Sequence, residues 1–509
     1  MTTPEVQDSR DDAVLSQLGY KEELRRTMSG YSSFALSFSM ISVTTTVFTL
    51  FAQPFQTLGG VAIWLWLPVI AGVLLLAAVY GHLAVRLPIT GYAYHWASRL
   101  VNPHYGWFTG YNAFLCQFIG SAGIAVALAS VFAPDIWANP SHGDIILLAS
   151  VAVAIAVIIN ITSIKLTAGV NNVGASVELV GTLGITIILG VGLAFFHHIQ
   201  GPGILLQHHS TLGTPFTLTA LASALLLPIW TLAGWEGAAD LAEETHDPRR
   251  SAPKAMMRSV LISGGVGLLM YAIFAMAIGP DLKGTINSTS ANPMVSVVES
   301  HFGSVGSFIV QVVAFVAMFS CLLANVTVAT RTSYSLARDN MLPFSKALSR
   351  VHPTTRTPIF SVIAVGIVAI GINFLSAGIA TQVTGMVSVV LYVTYGSTLT
   401  SALVGAIRNR IPDAPREYFT IGGALKPLCV VGIVWSLVVI ACMTFPSGSH
   451  IVGYYTLGFE AAAGLWYALV LRRRMLNGAA GPRLGAVPVR AVQESAVVPE
   501  MAQAAEEPA

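Results

Sequence analysis

The chain has 509 residues, 54% of them hydrophobic and only 10% charged, with a mean hydropathy of +0.70. A soluble globular domain carries roughly 25% charged residues, so this composition excludes one and points to an all-α integral membrane protein. The net charge of +2, with basic residues scattered through loops, gives no case for a nucleic-acid partner.

Residues 1–28 are polar and lack the apolar core of a secretory signal, and Lys21, Arg25 and Arg26 stand just before the first apolar run. This segment is expected to stay in the cytoplasm. From Thr27 to Val85 there is no Asp, Glu, Lys or Arg, a length that holds two spans separated by the turn signals Gln53, Pro54, Gly59 and Gly60. The centre of the first span reads Ser42, Val43, Thr44, Thr45, Thr46. Such a β-branched, hydroxyl-rich patch has weak helix preference and side chains that compete for backbone partners, so a break is expected near 42–46.

Further apolar runs follow at 61–85, 107–133, 144–163, 172–196, 217–242, 259–279, 305–330, 358–376, 379–406, 425–445 and 451–471, making twelve spans of the length needed to cross a ~30 Å core. If the N-terminus is inside and the spans alternate, the basic loops and the tail all fall on the cytoplasmic side, and only Lys283 of 26 Lys and Arg is left outside. The four cysteines, Cys116, Cys321, Cys429 and Cys442, sit in apolar runs without metal-type spacing and read as small core residues. No metal or cofactor is indicated. The outer loops hold His197, His198, His208 and His209, read as solvated polar loop, and the weak glycosylation sequon Asn287-Ser288-Thr289. Residues 475–509 turn to Ala, Gly, Pro, Val and Glu without periodicity and are expected to form a disordered cytoplasmic tail.

The stretch Leu225 to Lys254 is the most informative. Pro228, Gly234 and Gly237 interrupt an apolar run near 230–236, and Glu236 follows the interruption. A carboxylate and freed backbone groups at membrane depth are tolerated only where they are buried in protein or line a watery cavity. Spans 1 and 6 each open a set of five, each is interrupted, and five is odd, so the two sets run in opposite directions. This is the pattern of a 5+5 inverted repeat with repeat 1 over 29–200, repeat 2 over 201–410 and two further helices over 411–474. Half-helix N-termini offer N–H groups to a carboxylate and unwound carbonyls receive an ammonium, a geometry that suits an amino acid or a close relative.

Four segments carry a resemblance. They are LGYKEELRRTMSGYSSFALSFSMIS at the start, GHLAVRLPITGYAYHWASRL after span 2, GWEGAADLAEETHDPRRSAPKA at the exit of span 6 and RTSYSLARDNMLP at the end of span 8. Together they resemble amino-acid permeases of the amino acid, polyamine and organocation superfamily, in the branch that includes amino acid, choline and γ-aminobutyrate permeases. The resemblance covers roughly Leu18 to Arg474. It implies a leucine-transporter-type fold and a secondary transporter importing an amino acid or amine across the cytoplasmic membrane. The departures are His82 where the family often has Glu, Tyr92 where it often has Gly, and Val43 and Thr44 at the first break.

By the same resemblance, Ser42, Val43, Thr44 and Thr45 would face the substrate carboxylate. Trp230, Thr231, Ala233 and Gly234 would receive the amine, and Trp235 would lie over the bound molecule as a gate. Glu236 would neutralise the amine or hold the break together. Several family members carry Lys where Glu178 stands in span 5. Burial penalises the ionised form of a carboxyl, so Glu178 is a candidate to load and release a coupling proton. Asn325, Thr327 and Thr330 in span 8 offer oxygens that could instead serve sodium. A twelve-span carrier of two six-span halves would normally show a Gly-x-x-x-Asp-Arg-type loop where this chain reads VRLPITGYAY, and no clustered His, Cys or acid pair inside the spans suggests an enzyme. A sodium-coupled or exchange carrier for γ-aminobutyrate, choline or a polyamine is the alternative transporter, and a sensor that binds without transporting is the remaining non-transport alternative.

Overall fold

The computed structural model describes residues 4–288, 292–376, 380–446 and 450–482. Among these there is no β-strand, only an isolated bridge between Met28 and Thr245. A short helix α1 (Pro4–Gln17) lies ahead of an interrupted pair, α2 (Gly30–Ile41) and α3 (Val43–Leu50), and α4 (Ala52–Thr57) extends the latter. Next come α5 (Trp66–Arg86), the short α6 (Tyr92–Leu100), α7 (Pro103–Ile136), α8 (His142–Thr162) and α9 (Ile164–Gly192). A second interrupted pair, α10 (Leu218–Thr231) and α11 (Gly237–Asp240), leads to α12 (Pro248–Ala277), α13 (Leu282–Ile286) and the long α14 (Pro293–Arg338). The remainder is α15 (Ser345–Leu348), α16 (Ile359–Ser376), α17 (Ala380–Ile407), α18 (Leu425–Thr444), α19 (His450–Trp466) and α20 (Arg472–Leu476).

Local chemistry explains many of the boundaries. Asn102 caps α7 by accepting from the Tyr105 N–H, with Pro103 at the first helical position, where a missing N–H costs nothing. Ser141 and Asp144 form a reciprocal capping box at the start of α8. Thr217 and Asn292 cap α10 and α14 through single side-chain bonds, accepting from Ala220 N–H and Met294 N–H. Within α14, Gly303 adopts φ +67°, a left-handed conformation open to glycine, and there the helix kinks before its apolar run begins.

Nine helical segments among the described residues are long and apolar enough to cross a membrane, and two shorter apolar helices, Leu218–Thr231 and Ile359–Phe374, accompany them. Expected runs 217–242, 358–376 and 451–471 are absent from the nine because the helices found there, Leu218–Thr231, Ile359–Phe374 and His450–Trp466, are too short. Large apolar side chains such as Val180, Ile188, Val305, Phe308, Leu437 and Leu469 stand exposed on the outer surface, as lipid contact requires. The chain is a multi-pass membrane protein.

The basic stretch 86–99 contains the short α6, whose amphipathic pattern was too brief to stand out. It lies with Tyr92, Tyr94 and Trp96 buried. In the stretch read as a tail, residues 477–482 turn back onto the end of α14, where Gly481 N–H donates to Asp339 O at 2.9 Å and Asn340 donates to Ala479 O. Residues 483–509 and Thr289 of the sequon lie outside the described residues, and Asn287 Oδ1 accepts from Thr211. Among the described residues no group of three or more His, Cys, Asp or Glu is placed to hold a metal ion.

The interrupted helices lie at the centre. The pair α2–α3 packs against α7, α9, α12 and α14, while α10 leans on α4, α17 and α18. At the arginine-rich end of the bundle, Arg331 of α14 makes a bidentate ion pair with Glu244 at 2.8 and 2.9 Å, and both side chains are 1% exposed or less. Removing one partner of such a pair leaves an uncompensated charge, so Arg331→Met should cost about 3–5 kcal/mol. Thermal unfolding of the purified protein checks this: the single variant should melt lower, and Arg331→Met combined with Glu244→Leu should recover most of the loss.

Candidate functional site

The first break is a single residue. Ser42 ends α2 and begins α3 with φ +37°, a conformation costing of order 1–3 kcal/mol for a non-glycine residue. Its hydroxyl accepts from Thr45 N–H at 3.3 Å and lies 2.6 Å from Thr45 Oγ1. Glu178, reaching across from α9, completes the cap: its Oε1 accepts from Ser42 Oγ at 2.9 Å and from Thr44 N–H at 3.2 Å. A carboxylate at a helix N-terminus meets unpaired N–H groups and the positive end of the dipole, which is a favourable place for a buried acid. Its other oxygen, Oε2, is buried without a hydrogen-bond partner. Thr44 Oγ1 faces Thr182 Oγ1 of α9 at 2.7 Å.

The second break lies against the first. After Pro228 and Leu232 close α10, Gly234 takes φ +94°, and a Cβ there would meet Met40 Cβ at 2.8 Å and the Met40 backbone at 3.2 Å. Only glycine allows this approach. Ser37 of α2 stitches the strands of the break, donating to Trp235 O and accepting from Ala238 N–H, each at 3.0 Å. Glu236 Oε2 accepts from Tyr395 of α17 at 2.7 Å, while Oε1 is buried and unpartnered.

Between the breaks lies a small cavity lined by Thr45, Thr46, Trp230, Ala233, Gly234, Glu236 and Asn325, with Cys116, Gln117 and Gly120 of α7 among the opposing residues. Its volume, counted at the centres of water molecules, is about 40 Å³. At ~10–15 Å³ per water this is room for about three. Of the residues read as substrate-binding, Thr45, Trp230, Ala233 and Gly234 line it. Ser42 and Thr44 serve the Glu178 cap instead. Val43 packs toward α12 near Gly267. Thr231 returns its hydroxyl to Leu227 O. Trp235 is wholly buried, stacked on Tyr395 at 5.1 Å and edge-on to Tyr80 at 4.9 Å, away from the lining.

Of the residues offered for ion coupling, Glu236 and Asn325 line the cavity and Glu178 holds the first break from behind. Thr327 donates to Asn160 Oδ1 and Leu323 O, and Thr330 to Val326 O, so both hydroxyls are engaged within or beside α14. The wall contributed by α7 was not singled out from the sequence. Gln117, an amide inside an apolar run, was the available signal.

At the arginine-rich end, three acids after the second break are each tied down. Asp240 accepts from Gly91 N–H at 2.7 Å and Thr332 Oγ1 at 2.8 Å. Glu243 accepts from Thr90 N–H and pairs with Arg338 at 2.8 and 3.0 Å, and Glu244 pairs with Arg331. The segment before α2 lies over this network. Tyr20 donates to Asp339 at 2.7 Å beneath Arg338, 4.0 Å from its ring, and Tyr334 donates to Glu23 at 2.6 Å. Burial, then the charge of Asp339, hold the Tyr20 hydroxyl well above its ordinary pKa, so it stays a donor.

A membrane bundle whose two interrupted helices flank a small, mostly apolar cavity with a few convergent polar groups has the form of a small-molecule transporter. A family model described as amino acid permease matches residues 28–466, and the chain belongs to that family, within the amino acid, polyamine and organocation superfamily. An uncharacterized amino-acid permease of Schizosaccharomyces pombe is 25% identical over 452 residues, covering 85% of this chain and 78% of its own. Amino-acid permease BAT1 of Arabidopsis thaliana is 23% identical over 487 residues, covering 89% and 92%. Amino-acid permease 2 of Neurospora crassa is 25% identical over 403 residues, covering 75% and 72%. The protein is thus a transporter of amino acids and not an enzyme.

Because Gly234 holds φ +94° and meets Met40 with no room for a side chain, Gly234→Leu should force the two breaks apart, abolishing uptake and lowering the melting temperature. Normal uptake by that variant, measured in proteoliposomes, would remove the second break from the site.

Proposed function

We propose that the protein is a proton-coupled symporter of a small amino acid or amino-acid-like amine in the cytoplasmic membrane, working by alternating access. Twelve spans form a 5+5 inverted repeat followed by two further helices, with both termini in the cytoplasm. The observation that carries this reading is the cavity between two interrupted helices, with Glu236 among the residues that line it. A buried carboxylate oxygen without a donor suits an ammonium, and the hydroxyls of Thr45 and the amides of Gln117 and Asn325 suit a carboxylate or other polar end. Trp230 and Ala233 complete the substrate's surroundings.

Glu178 is the proposed proton carrier. In the ionised form it holds Thr44 N–H and Ser42, which keeps the first break in its present shape. A proton on the carboxyl weakens both bonds, since an ionised acceptor makes the stronger hydrogen bond. The break can then rearrange with α9, and the proton leaves when access has switched. On this reading the acid–arginine network forms the inner gate, and it must open for release into the cytoplasm.

Two measurements test the proposal. Burying a second, unpaired ammonium costs several kcal/mol, and the cavity holds a single carboxylate. Monoamine amino acids should therefore compete for uptake better than putrescine or spermidine, and the reverse ranking would reject the substrate assignment. For coupling, uptake should rise as the outside is acidified and collapse with a protonophore. Glu178→Gln cannot release a proton. It should still exchange substrate across the membrane but lose accumulation against a gradient and most of its pH dependence. Loss of exchange and accumulation together would mark Glu178 as purely structural, and accumulation that follows an imposed sodium gradient would mark a sodium carrier.

A further inference from the structure

A second, larger recess lies outside the two interrupted helices, on the apolar outer surface where α17, α18 and α19 meet. It encloses about 590 Å³ counted at water centres, and Val389, Val393, Ile440, Tyr454 and Leu457 make most of its wall apolar. One acid breaks the pattern: Glu460 of α19 lines it. Its Oε1 is buried without a hydrogen-bond partner, and among the described residues it makes no ion pair. Asn112 of α7, outside the recess lining, hydrogen-bonds to the Glu460 carboxyl and gives an amide N–H to Phe108 O. The recess thus holds one carboxyl with a neutral partner and, among the described residues, no cation. The other polar groups of the recess are engaged locally: Thr444 donates to Ile440 O, Thr456 to Val452 O, and His450 contacts Phe445 O.

Depth adds to the argument, and it rests on the twelve-span reading proposed above. Glu460 is ten residues from the start of α19 and twelve from Arg472, about 15 Å and 18 Å along a helix rising 1.5 Å per residue. That places a carboxyl near the middle of the bilayer, where an acid is costly and is kept only with a partner or a role. Nothing in the transport reading uses it, since the cavity between the breaks involves neither α18 nor α19.

We propose that this recess binds a membrane-dissolved amphiphile made of a slender apolar chain and one amino group, with the ammonium seated on Glu460. An ammonium supplies the missing opposite charge and donors for the carboxylate, while the apolar wall takes the chain. A phospholipid tail would fill the wall and leave the carboxylate without a cation. An alcohol would bring one donor and no charge.

The probe is radiolabelled dodecylamine, applied to the full chain in nanodiscs, with dodecanol and dodecane as competitors. Saturable binding of one dodecylamine per chain is expected, displaced by neither competitor at equal concentration. Glu460→Gln should weaken it about tenfold or more, as expected for loss of a charge-assisted bond, and Leu457→Trp, which fills the recess and keeps the acid, should block it. Both variants should melt like the wild type and keep its amino-acid uptake. Displacement by dodecanol as effective as by dodecylamine itself would overturn the proposal, as would unsaturable binding unchanged in both variants. So would a dimer that Leu457→Trp dissociates, because the occupant would then be a second copy of this chain. Modification of Glu460→Cys by a membrane-impermeant maleimide would put the recess in water; that result would bring down the twelve-span reading and this proposal with it. Absent binding with an unmodified cysteine would remove the amphiphile alone.

Discussion

Everything near the centre of this protein answers to one constraint: two helices are interrupted where water cannot reach, and every backbone group the interruptions release needs a partner from the protein. The partners come from other helices. Glu178 supplies the missing acceptor for Thr44 N–H, Ser42 caps the start of α3, and Ser37 holds both Trp235 O and Ala238 N–H across from α2. Because the first break is satisfied from α9 and the second from α2, neither can change shape without moving its neighbour. The absence of a side chain at Gly234 brings the two into contact at Met40.

The buried acids then divide by what they touch. Glu243 and Glu244 are locked by arginines, and Asp240 by a backbone N–H and a threonine, so this end of the bundle is held by charge and by many bonds at once. Glu178 and Glu236 meet only uncharged donors, and each keeps one oxygen without a partner. A permanently paired acid rigidifies a membrane core, whereas an acid held by neutral donors has little to oppose a proton or an ammonium. The acids beyond the second break have both carboxylate oxygens engaged, whereas Glu178 and Glu236, at the breaks, do not.

Legibility in the sequence followed the length scale of the signal. The long apolar runs were plain, and so were both breaks: Pro228, Gly234 and Gly237 are punctuation in any context, and Ser42 to Thr46 is a poor helix former wherever it stands. The short α6 was hidden because nine residues hold too little periodicity to separate from a basic loop. The α7 wall of the cavity was hidden for another reason. Cys116, Gly120 and Ile124 have the composition of ordinary core, and only their placement opposite Trp230 and Gly234 gives them a role. A hydroxyl's direction was not legible either: Thr231, Thr327 and Thr330 all return bonds to their own helical turn.

The sequence by itself determined the medium and the points of interruption, because hydropathy, turn chemistry and helix propensity are local properties that survive in any fold. It also marked Glu178 and Glu236 as acids in places where an acid is costly. Only the tertiary structure decided which way those acids face. Glu178 caps the first break from behind and Glu236 opens on the cavity, while Trp235 lies buried against Tyr80 and Tyr395 as Trp230 lines the space. Facing depends on the relative rotation of helices more than a hundred residues apart in the chain, and that rotation is set by close contacts such as Gly234 on Met40 and Ser37 on Trp235, which no local pattern encodes.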